Sequence, residues 1–313
     1  MAGKSTDPLM LPDLPKITGN ALRELQQRAL VLMSQDSDDP SKFPGAQPVS
    51  FERKHLMAPA PGGPQHPSLA TAPYFAAEKT DGVRYMLMVL GAKGSFAIDR
   101  NFAMCKLPGM CFPSRADPSQ LLDATLLDGE LVQDALDAPA SRKRGREGEA
   151  GAAAPAVDRM RFLVYDACRV GGKSVMELSL RLRLLAVRRE VLIPRYAASS
   201  APAEASAAAG AGAAAAHDFS AEPFSVELKD FFTLPQLPHI FSHVAGGAPG
   251  SKFLYAFSDP LRKLSHGNDG IIFTPANDPY RPYAEIAVGI AHSARFADDG
   301  APLFPTGTRA PPS

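Results

Sequence analysis

Residues 78–84 read Glu-Lys-Thr-Asp-Gly-Val-Arg, and they join two strand-like runs. An apolar run from Tyr74 ends at Lys79, the Asp81-Gly82 pair is typical of a tight turn, and a second run begins at Val83. The pattern predicts a hairpin that brings a lysine and an arginine together. Lysine is a poor nucleophile while protonated, at a pKa of about 10.4 in water, so catalytic use requires desolvation or adjacent cations. An ordinary hairpin with exposed charges is the alternative at this point.

Outward from this stretch, short runs with strand composition dominate the chain. Helical periodicity is confined to 21–33, behind a possible Asn20 cap, and to 179–192. A strand-rich chain without regular strand–helix alternation predicts an α+β fold with antiparallel sheets. The other strand-like runs are 83–90, 95–99, 125–127 leading into 130–132, 161–167, 223–232 and 270–274.

Three further motifs place polar groups beside apolar strands. Glu130 follows an Asp-Gly pair interpreted as a turn, and it suits a ribose hydroxyl or a metal ion. Tyr165 near the end of an apolar run suits stacking on a base. Asp269, before a glycine and another apolar strand, suits a hard cation such as Mg²⁺, which takes oxygen ligands. A turn acid, a core tyrosine and a turn acid are the respective alternatives.

Composition narrows the classes of protein. The chain has 313 residues, 45% of them hydrophobic, with 33 basic and 33 acidic side chains. Balanced charge excludes a global field that attracts polyanions, so a polyanion must bind at a local site. Three cysteines without paired spacing disfavour a disulfide framework and favour a reducing compartment. No run approaches the roughly 18 apolar residues of a membrane-spanning helix, so no membrane association is predicted.

Two stretches are predicted to be disordered surface insertions, 135–158 and 197–216, because they lack an apolar period. The first contains a basic run at 142–146, which suits nuclear localisation or a solvated charge run. His239 and His243, four residues apart, suit zinc only if further ligands lie nearby, and none is evident in the sequence.

The order of these motifs resembles the covalent nucleotidyltransferases, the superfamily of ATP-dependent polynucleotide ligases and mRNA guanylyltransferases. The motifs in question are Lys79-x-Asp81-Gly82-x-Arg84, Asp128-Gly129-Glu130, Tyr165-Asp166 and Asp269-Gly270. The flanking residues are similar to the eukaryotic capping branch, notably 43–50 with Arg53 and His55, Arg84-Tyr85-Met86-Leu87, Ile98-Asp99-Arg100 and 266–275. The resemblance covers about 43–280.

The resemblance implies a nucleotidyltransferase core of two antiparallel sheets with flanking helices and a ping-pong reaction. Lys79 would attack the α-phosphate of GTP with Mg²⁺ or Mn²⁺, and the GMP would pass to the 5′-diphosphate end of RNA. The remaining nucleotide-binding residues implied by the family motifs are Glu78, Arg84, Arg100, Glu130, Tyr165, Lys229 and Asp269. Of these, Glu130 and Asp269 are also the metal-ligand candidates. Arg84 and Arg100 would hold phosphate or ribose, Lys229 a phosphate, and Tyr165 would stack on guanine. A nuclear location, an RNA triphosphatase and the C-terminal tail of RNA polymerase II are implied as setting and partners.

This sequence departs from the family after Tyr283. The family continues with a strand carrying a K-x-K-type motif and an OB-fold domain, whereas here no lysine follows Lys263. We expect an N-terminal extension with one amphipathic helix at 1–42, a catalytic domain at 43–283 and a divergent, disordered tail at 284–313, with the OB fold missing. A truncated gene prediction is the favoured explanation. The alternatives are an ATP-dependent polynucleotide ligase and a truncated, non-catalytic nucleotide-binding relative.

Overall fold

The structure is a computed structural model. It describes residues 11, 14–35, 42–63, 68–136, 159–199, 217–238, 244–245, 253–256, 264–283 and 285–292.

Two helical segments flank the sheets. Helix α1 spans Gly19–Leu32 and begins after Thr18, so the predicted Asn20 cap is wrong. The second segment is continuous from residue 180 to 199, with α2 at Leu180–Val187, a π-helical turn at Arg188–Leu192 and α3 at Ile193–Ser199. Within the described residues, no helix is long and apolar enough to cross a membrane.

The first sheet contains the strand that follows the Asp81-Gly82 pair. Its strands are β3 (Val83–Val89), β4 (Ser95–Ile98), β5 (Met104–Leu107), β6 (Thr125–Leu136), β7 (Arg159–Val170), β8 (Lys173–Ser174) and β9 (Ser225–Leu228). The antiparallel order of the strands is β5-β4-β3-β6-β7, and β9 pairs with β7 in parallel.

The second sheet contains the strand that ends in Lys79-Thr80. Its strands are β1 (Gln47–Ser50), β2 (Tyr74–Thr80), β10 (Phe232–Thr233), β11 (Val244–Ala245), β12 (Phe253–Ala256), β13 (Leu264–Pro275) and β14 (Glu285–His292). The central strand β13 pairs with β2, β12 and β14 in antiparallel fashion, and β1 pairs with β14 in parallel. The predicted α+β fold with two antiparallel sheets is confirmed, and β6 joins them where Leu136 pairs with Leu264.

Both faces of the first sheet are covered, which explains why β3 is apolar at almost every position. Leu87 belongs to a core that includes Val187 and Val191 of the second helical segment. Met86 and Met88 belong to a separate core that includes Leu30 of α1. Because neighbouring side chains on a strand point to opposite faces, alternate residues of β3 fill the two cores.

The predicted hairpin at Asp81-Gly82 is wrong, because the strands on either side of this turn belong to different sheets. Within the described residues, β2 pairs with β13 and β10, while β3 pairs with β4 and β6. The chain therefore passes from one sheet to the other at this turn. Lys79 and Arg84 consequently belong to different sheets, although they are five residues apart.

Two other predicted turns lie inside strands. Gly129 is in the middle of β6, and the register between β6 and β7 shifts between Asp128 and Gly129. Gly270 is inside β13, where the register with β2 shifts between Asn268 and Gly270. An irregularity of this kind admits an extra residue without ending the strand, so an Asp-Gly pair did not mark a chain reversal here.

The boundaries of the uncertain segments also differ from the predictions. Strand β6 continues to Leu136 and α3 to Ser199, so the first two residues of one predicted insertion and the first three of the other have regular structure. Residues 137–158 and 200–216 lie outside the described residues. The prediction of a disordered tail from residue 284 is wrong for Glu285–His292, which form β14. Residues 284 and 293–313 lie outside the described part of the chain.

Candidate active site

A cavity of about 230 Å³ is lined by side chains from both sheets. Lys79 and Thr80 come from β2, Arg84 from β3, and Glu130 from β6, while Lys229 follows β9. A cavity with several convergent cations and a carboxylate suits a phosphorylated ligand better than an apolar one. The two strands that meet at the Asp81-Gly82 turn thus supply opposite walls of one site.

The turn itself is held against neighbouring backbone. The Asp81 amide donates to the Gly267 carbonyl at 2.8 Å. A Cβ atom at Gly82 would lie 2.5 Å from the Leu131 carbonyl oxygen and 2.7 Å from Cγ of Glu130. Only glycine allows the chain to pass this close to β6, which keeps Thr80 and the Gly82 amide in contact with Glu130.

Glu130 accepts hydrogen bonds from three directions at the end of the cavity. The Gly82 amide donates to its Oε1 at 3.2 Å, the Thr80 hydroxyl donates to its Oε2, and Lys229 Nζ lies 3.4 Å from Oε2. Lys229 Nζ also donates to Thr80 Oγ1 at 2.7 Å. Burial raises the pKa of Glu130, and the neighbouring ammonium of Lys229 opposes that shift. The result is a compact acid–hydroxyl–ammonium group facing the ligand space.

Arg84 and Asp128 form a bidentate ion pair in the cavity wall. Arg84 Nε donates to Oδ1 of Asp128 at 3.0 Å and Nη2 to Oδ2 at 2.6 Å, while Nη1 donates to the Ala46 carbonyl at 2.6 Å. The hydroxyls of Tyr165 and Tyr280 each donate to Asp128 at 2.7 Å. Burial acts to lower the pKa of Arg84, but Asp128 together with Tyr165 and Tyr280 outweighs it, so that the pKa is raised.

The comparisons with known proteins are consistent with these features. The mRNA capping enzyme catalytic domain family matches residues 14–287. The chain belongs to this family. The mRNA-capping enzyme of Danio rerio is 29% identical over 244 residues, which cover 78% of this chain and 31% of that protein. The mRNA-capping enzyme subunit alpha of Candida glabrata is 28% identical over 290 residues, which cover 88% of this chain and 51% of that subunit. The chain therefore spans between about a third and about half of these curated relatives.

Among solved structures, a mycobacterial DNA ligase D complexed with ATP and MES matches with a TM-score of 0.35 and 13% identity. The match covers 80% of this chain and 60% of the ligase chain.

Most of the residues implied by the capping-enzyme resemblance meet at the cavity. Lys79, Arg84, Arg100, Glu130, Tyr165 and Lys229 all line it. Their individual roles toward a nucleotide remain predictions. The guanidinium of Arg84 is already engaged by Asp128 and Ala46, so it forms the wall and has little donor capacity left for a phosphate. The Tyr165 ring lines the cavity with its hydroxyl tied to Asp128, which fixes the ring plane.

Two of the predicted residues, Glu78 and Asp269, are not among the described side chains that line the cavity. Glu78 is 2% exposed, and its carboxylate is directed to His266 instead of the cavity, with Oε1 3.6 Å from Nε2 of His266. Asp269 lies in β13 at the register irregularity, and its side chain is outside what the structure describes.

Sequence reasoning missed Thr80, Asp128, Tyr280 and His266. Thr80 and Asp128 lie inside motifs that were recognised, but each was interpreted as part of a turn. The available signal was strand alternation: once β6 is continuous, Asp128 and Glu130 share a face. Tyr280 contacts Asp128 from a segment 152 residues away, and no local pattern predicts that contact.

The donor set allows a divalent cation but does not form a preorganised metal cage. The described residues contain no cluster of three or more His, Cys, Asp or Glu side chains with metal-site geometry. Mg²⁺ commonly takes one or two carboxylates and completes its shell with substrate phosphates and water, which fits Glu130 in this cavity. His239 and His243 lie outside the described residues, so their zinc hypothesis stays a prediction.

Proposed function

We propose that this chain is an mRNA guanylyltransferase that transfers GMP from GTP to the 5′-diphosphate end of RNA through a covalent lysyl-GMP. The observation that carries the proposal is the position of Lys79. Its side chain lines a cavity whose other walls supply Arg100, Lys229 and Glu130, while Arg84 is held in the wall by Asp128. Phosphoryl transfer depends mostly on positioning and on stabilisation of phosphate charge, and cations around a nucleophile meet both needs.

In the first step, the unprotonated amine of Lys79 attacks the α-phosphorus of GTP. A nitrogen–phosphorus bond forms, the bond to the β-phosphate oxygen breaks, pyrophosphate leaves, and the amine proton passes to solvent. In the second step, a terminal phosphate oxygen of the RNA attacks the same phosphorus, the nitrogen–phosphorus bond breaks, and the leaving nitrogen takes up a proton from solvent. Lys79 is regenerated and the RNA carries a triphosphate-linked guanosine.

Glu130 and Asp269 are the residues that we propose for Mg²⁺ or Mn²⁺, which when bound would offset charge on the triphosphate. The residues of the chain supply the rest. Lys229 is 4% exposed and its ammonium faces both Thr80 and Glu130, so it is fixed where a polar nucleotide edge or a phosphate enters. The Tyr165 ring offers a flat surface for the base.

Label transfer tests the proposal directly. The purified chain is incubated with α-phosphate-labelled GTP or ATP and Mg²⁺ or Mn²⁺, then denatured and examined for labelled protein. We expect label from GTP in the wild type and in Lys93→Arg, an exposed lysine outside this cavity, but none in Lys79→Arg. Lys79→Arg retains the positive charge and removes the nucleophile, so its loss of label identifies the attacking group.

Other outcomes of this experiment contradict the proposal. Label from ATP alone would favour a polynucleotide ligase. Binding of GTP without label in a folded wild-type chain would favour a non-catalytic nucleotide-binding relative. Label that persists in Lys79→Arg would assign the nucleophile to another residue.

The partners and the location of the chain are part of the same proposal. Membership of the capping family supports RNA as the acceptor. We further propose an RNA triphosphatase and the C-terminal tail of RNA polymerase II as protein partners, and the nucleus as the location. Imaging of the tagged full chain, with and without the basic run at 142–146, tests whether that run directs nuclear import.

A further inference from the structure

Five ionisable side chains form a buried charge cluster behind the cavity, where the two sheets meet. Its members are Glu78 on β2, Asp134 on β6, Arg161 on β7, Glu227 on β9 and His266 on β13. All except Glu227 are at most 3% exposed. Buried charges are costly unless they are paired, so a cluster of this size requires an explanation.

The cluster is a chain of contacts that ends beside the proposed nucleophile. Arg161 lies 3.1 Å from Glu227 and 2.7 Å from Asp134. His266 Nδ1 lies 2.9 Å from Asp134, and its Nε2 lies 3.6 Å from Glu78. Glu78 directly precedes Lys79 in β2. His266 therefore links the strand that carries Lys79 to the first sheet, in addition to the contacts of Thr80 with Glu130 and Lys229.

The charges balance best when His266 is protonated. The cluster contains three carboxylates and one guanidinium, so an imidazolium reduces its net charge from −2 to −1. Burial acts to lower the pKa of His266, but Asp134 and Glu78 outweigh it and raise that pKa. Oε2 of Glu78 has no hydrogen-bond partner in the described part of the chain, and the His266 ring lies 3.6 Å from Oε1 of the same carboxylate.

The charge of Glu78 also reaches into the cavity. Burial is the main reason that the pKa of Glu130 is raised, and repulsion from Glu78 adds to that shift. A carboxylate that acts on Glu130 also acts on the phosphates of a bound nucleotide, which carry the same sign of charge.

We propose that His266 is a positioning residue that neutralises Glu78 behind the cavity and thereby keeps the cations of the site available to GTP. The proposal rests on the proposed guanylyltransferase function. Without the imidazolium, the Glu78 carboxylate repels the triphosphate and attracts the ammonium groups of Lys79 and Lys229. Occupancy by GTP then falls, although every residue that lines the cavity is still present.

The concentration of GTP needed for half-maximal lysyl-GMP formation tests this role. In His266→Gln, which retains hydrogen-bonding capacity and removes the charge, we expect that concentration to rise roughly tenfold, because one carboxylate is uncovered near the phosphates. Adding Glu78→Gln should return it to within about twofold of the Glu78→Gln single variant. If His266 had only a structural role, the double variant would need at least as much GTP as His266→Gln, since a second lost contact cannot repair the first. His55→Gln, at another buried histidine that does not line the cavity, is the matched control.

A second measurement does not depend on catalysis. The proton signal of the His266 ring, assigned by its absence in His266→Gln, is followed by NMR against pH in the wild type and in Glu78→Gln. We expect Glu78→Gln to lower the pKa of His266. An unchanged pKa overturns the proposal even if GTP labels the protein normally. Absence of label from the wild type, with the NMR shift present, contradicts the proposed function and leaves the His266–Glu78 pairing established.

Discussion

At the scale of single residues, Asp128 holds three side chains of the cavity wall at once. It accepts both arms of the Arg84 fork and the hydroxyls of Tyr165 and Tyr280, and it is fully buried. Asp128→Asn leaves the Arg84 guanidinium without its counter-ion. Removal of one partner from a buried ion pair costs about 3–5 kcal/mol, so we expect a loss of that size in the free energy of unfolding, measured with urea.

An exposed ion pair of similar length provides the control. Arg281 lies 2.6 Å from Glu177, with both side chains more than half exposed. Glu177→Gln should change the free energy of unfolding by less than about 1 kcal/mol. Equal losses in Asp128→Asn and Glu177→Gln would mean that the Asp128 network does not stabilise the fold.

The sequence allowed six of the residues that line the cavity to be predicted, because chemistry and motif spacing are local properties. It did not reveal which neighbours those residues would contact. Arg84 was expected to hold phosphate or ribose, and the sequence did not reveal that its guanidinium is engaged by Asp128 through the pairing of β3 with β6. Glu78 was assigned to the site with Lys79, whereas its buried side chain lies against His266 of β13. Tertiary pairing, which one sequence does not encode locally, decided both cases.

At the scale of elements, the glycine in β6 permits close packing of β6 on β7. A Cβ at Gly129 would lie 2.5 Å from Cζ of Phe162 and 2.7 Å from the carbonyl oxygen of Leu163. We expect Gly129→Ala to cost about 1–3 kcal/mol through overpacking and to reduce lysyl-GMP formation, because Glu130 is the next residue. Urea unfolding and label transfer report the two effects.

Gly63→Ala is the matched control for this strand. A Cβ at Gly63 meets its nearest neighbour, the Ala60 carbonyl oxygen, at 3.2 Å. If Gly129→Ala were as stable and as active as Gly63→Ala, the close contact between β6 and β7 would have no functional importance.

Elements were predicted well where apolar runs were long and poorly where an acid and a glycine interrupted them. Strands β6 and β13 each continue through an Asp-Gly pair without a turn, and the register irregularity there leaves an extra residue in β7 opposite β6 and in β13 opposite β2. Strand β14 was missed because its expected lysines are absent, yet alternation of its residues was sufficient for pairing with β13 and β1. A strand can pair through its backbone even where the side chains of its expected motif are absent, whereas a motif search does not find such a strand.

At the scale of the whole molecule, stability should depend on pH through the buried charge cluster. The pKa of His266 in the folded chain is raised above its ordinary value of 6.5. Its stabilising contribution is therefore fully present below about pH 6.5 and is lost as the pH rises through the folded pKa. We expect the free energy of unfolding of the wild type to fall over that window more steeply than that of His266→Gln. Parallel profiles for the two proteins would contradict the prediction.

Carboxyls with raised pKa values contribute to the same profile. Burial raises the pKa of Glu130 and of Asp166 from lower ordinary values, so their contributions also decline as the pH rises. Asp166 pairs with Arg183 outside the cluster, so its contribution cancels in the difference between wild type and His266→Gln. Glu130 is coupled to the cluster through Glu78, so the difference profile reports His266 together with the carboxylates that its charge affects.

A ligand in the cavity should stabilise the folded chain by contacting both sheets, because the cavity walls come from both. A ligand that binds only the folded chain at about 100 times its Kd adds about 2.7 kcal/mol of stability. We expect GTP to raise the Tm of both wild type and Lys79→Ala, but only the wild type should keep the increase after free GTP is removed by gel filtration. Mass action disappears with the free ligand, whereas a covalent lysyl-GMP remains until pyrophosphate reverses its formation. A Tm increase that persists after gel filtration in Lys79→Ala would mean that the nucleotide is attached to a residue other than Lys79. A Tm increase that is lost from both proteins would mean that GTP binds without reacting.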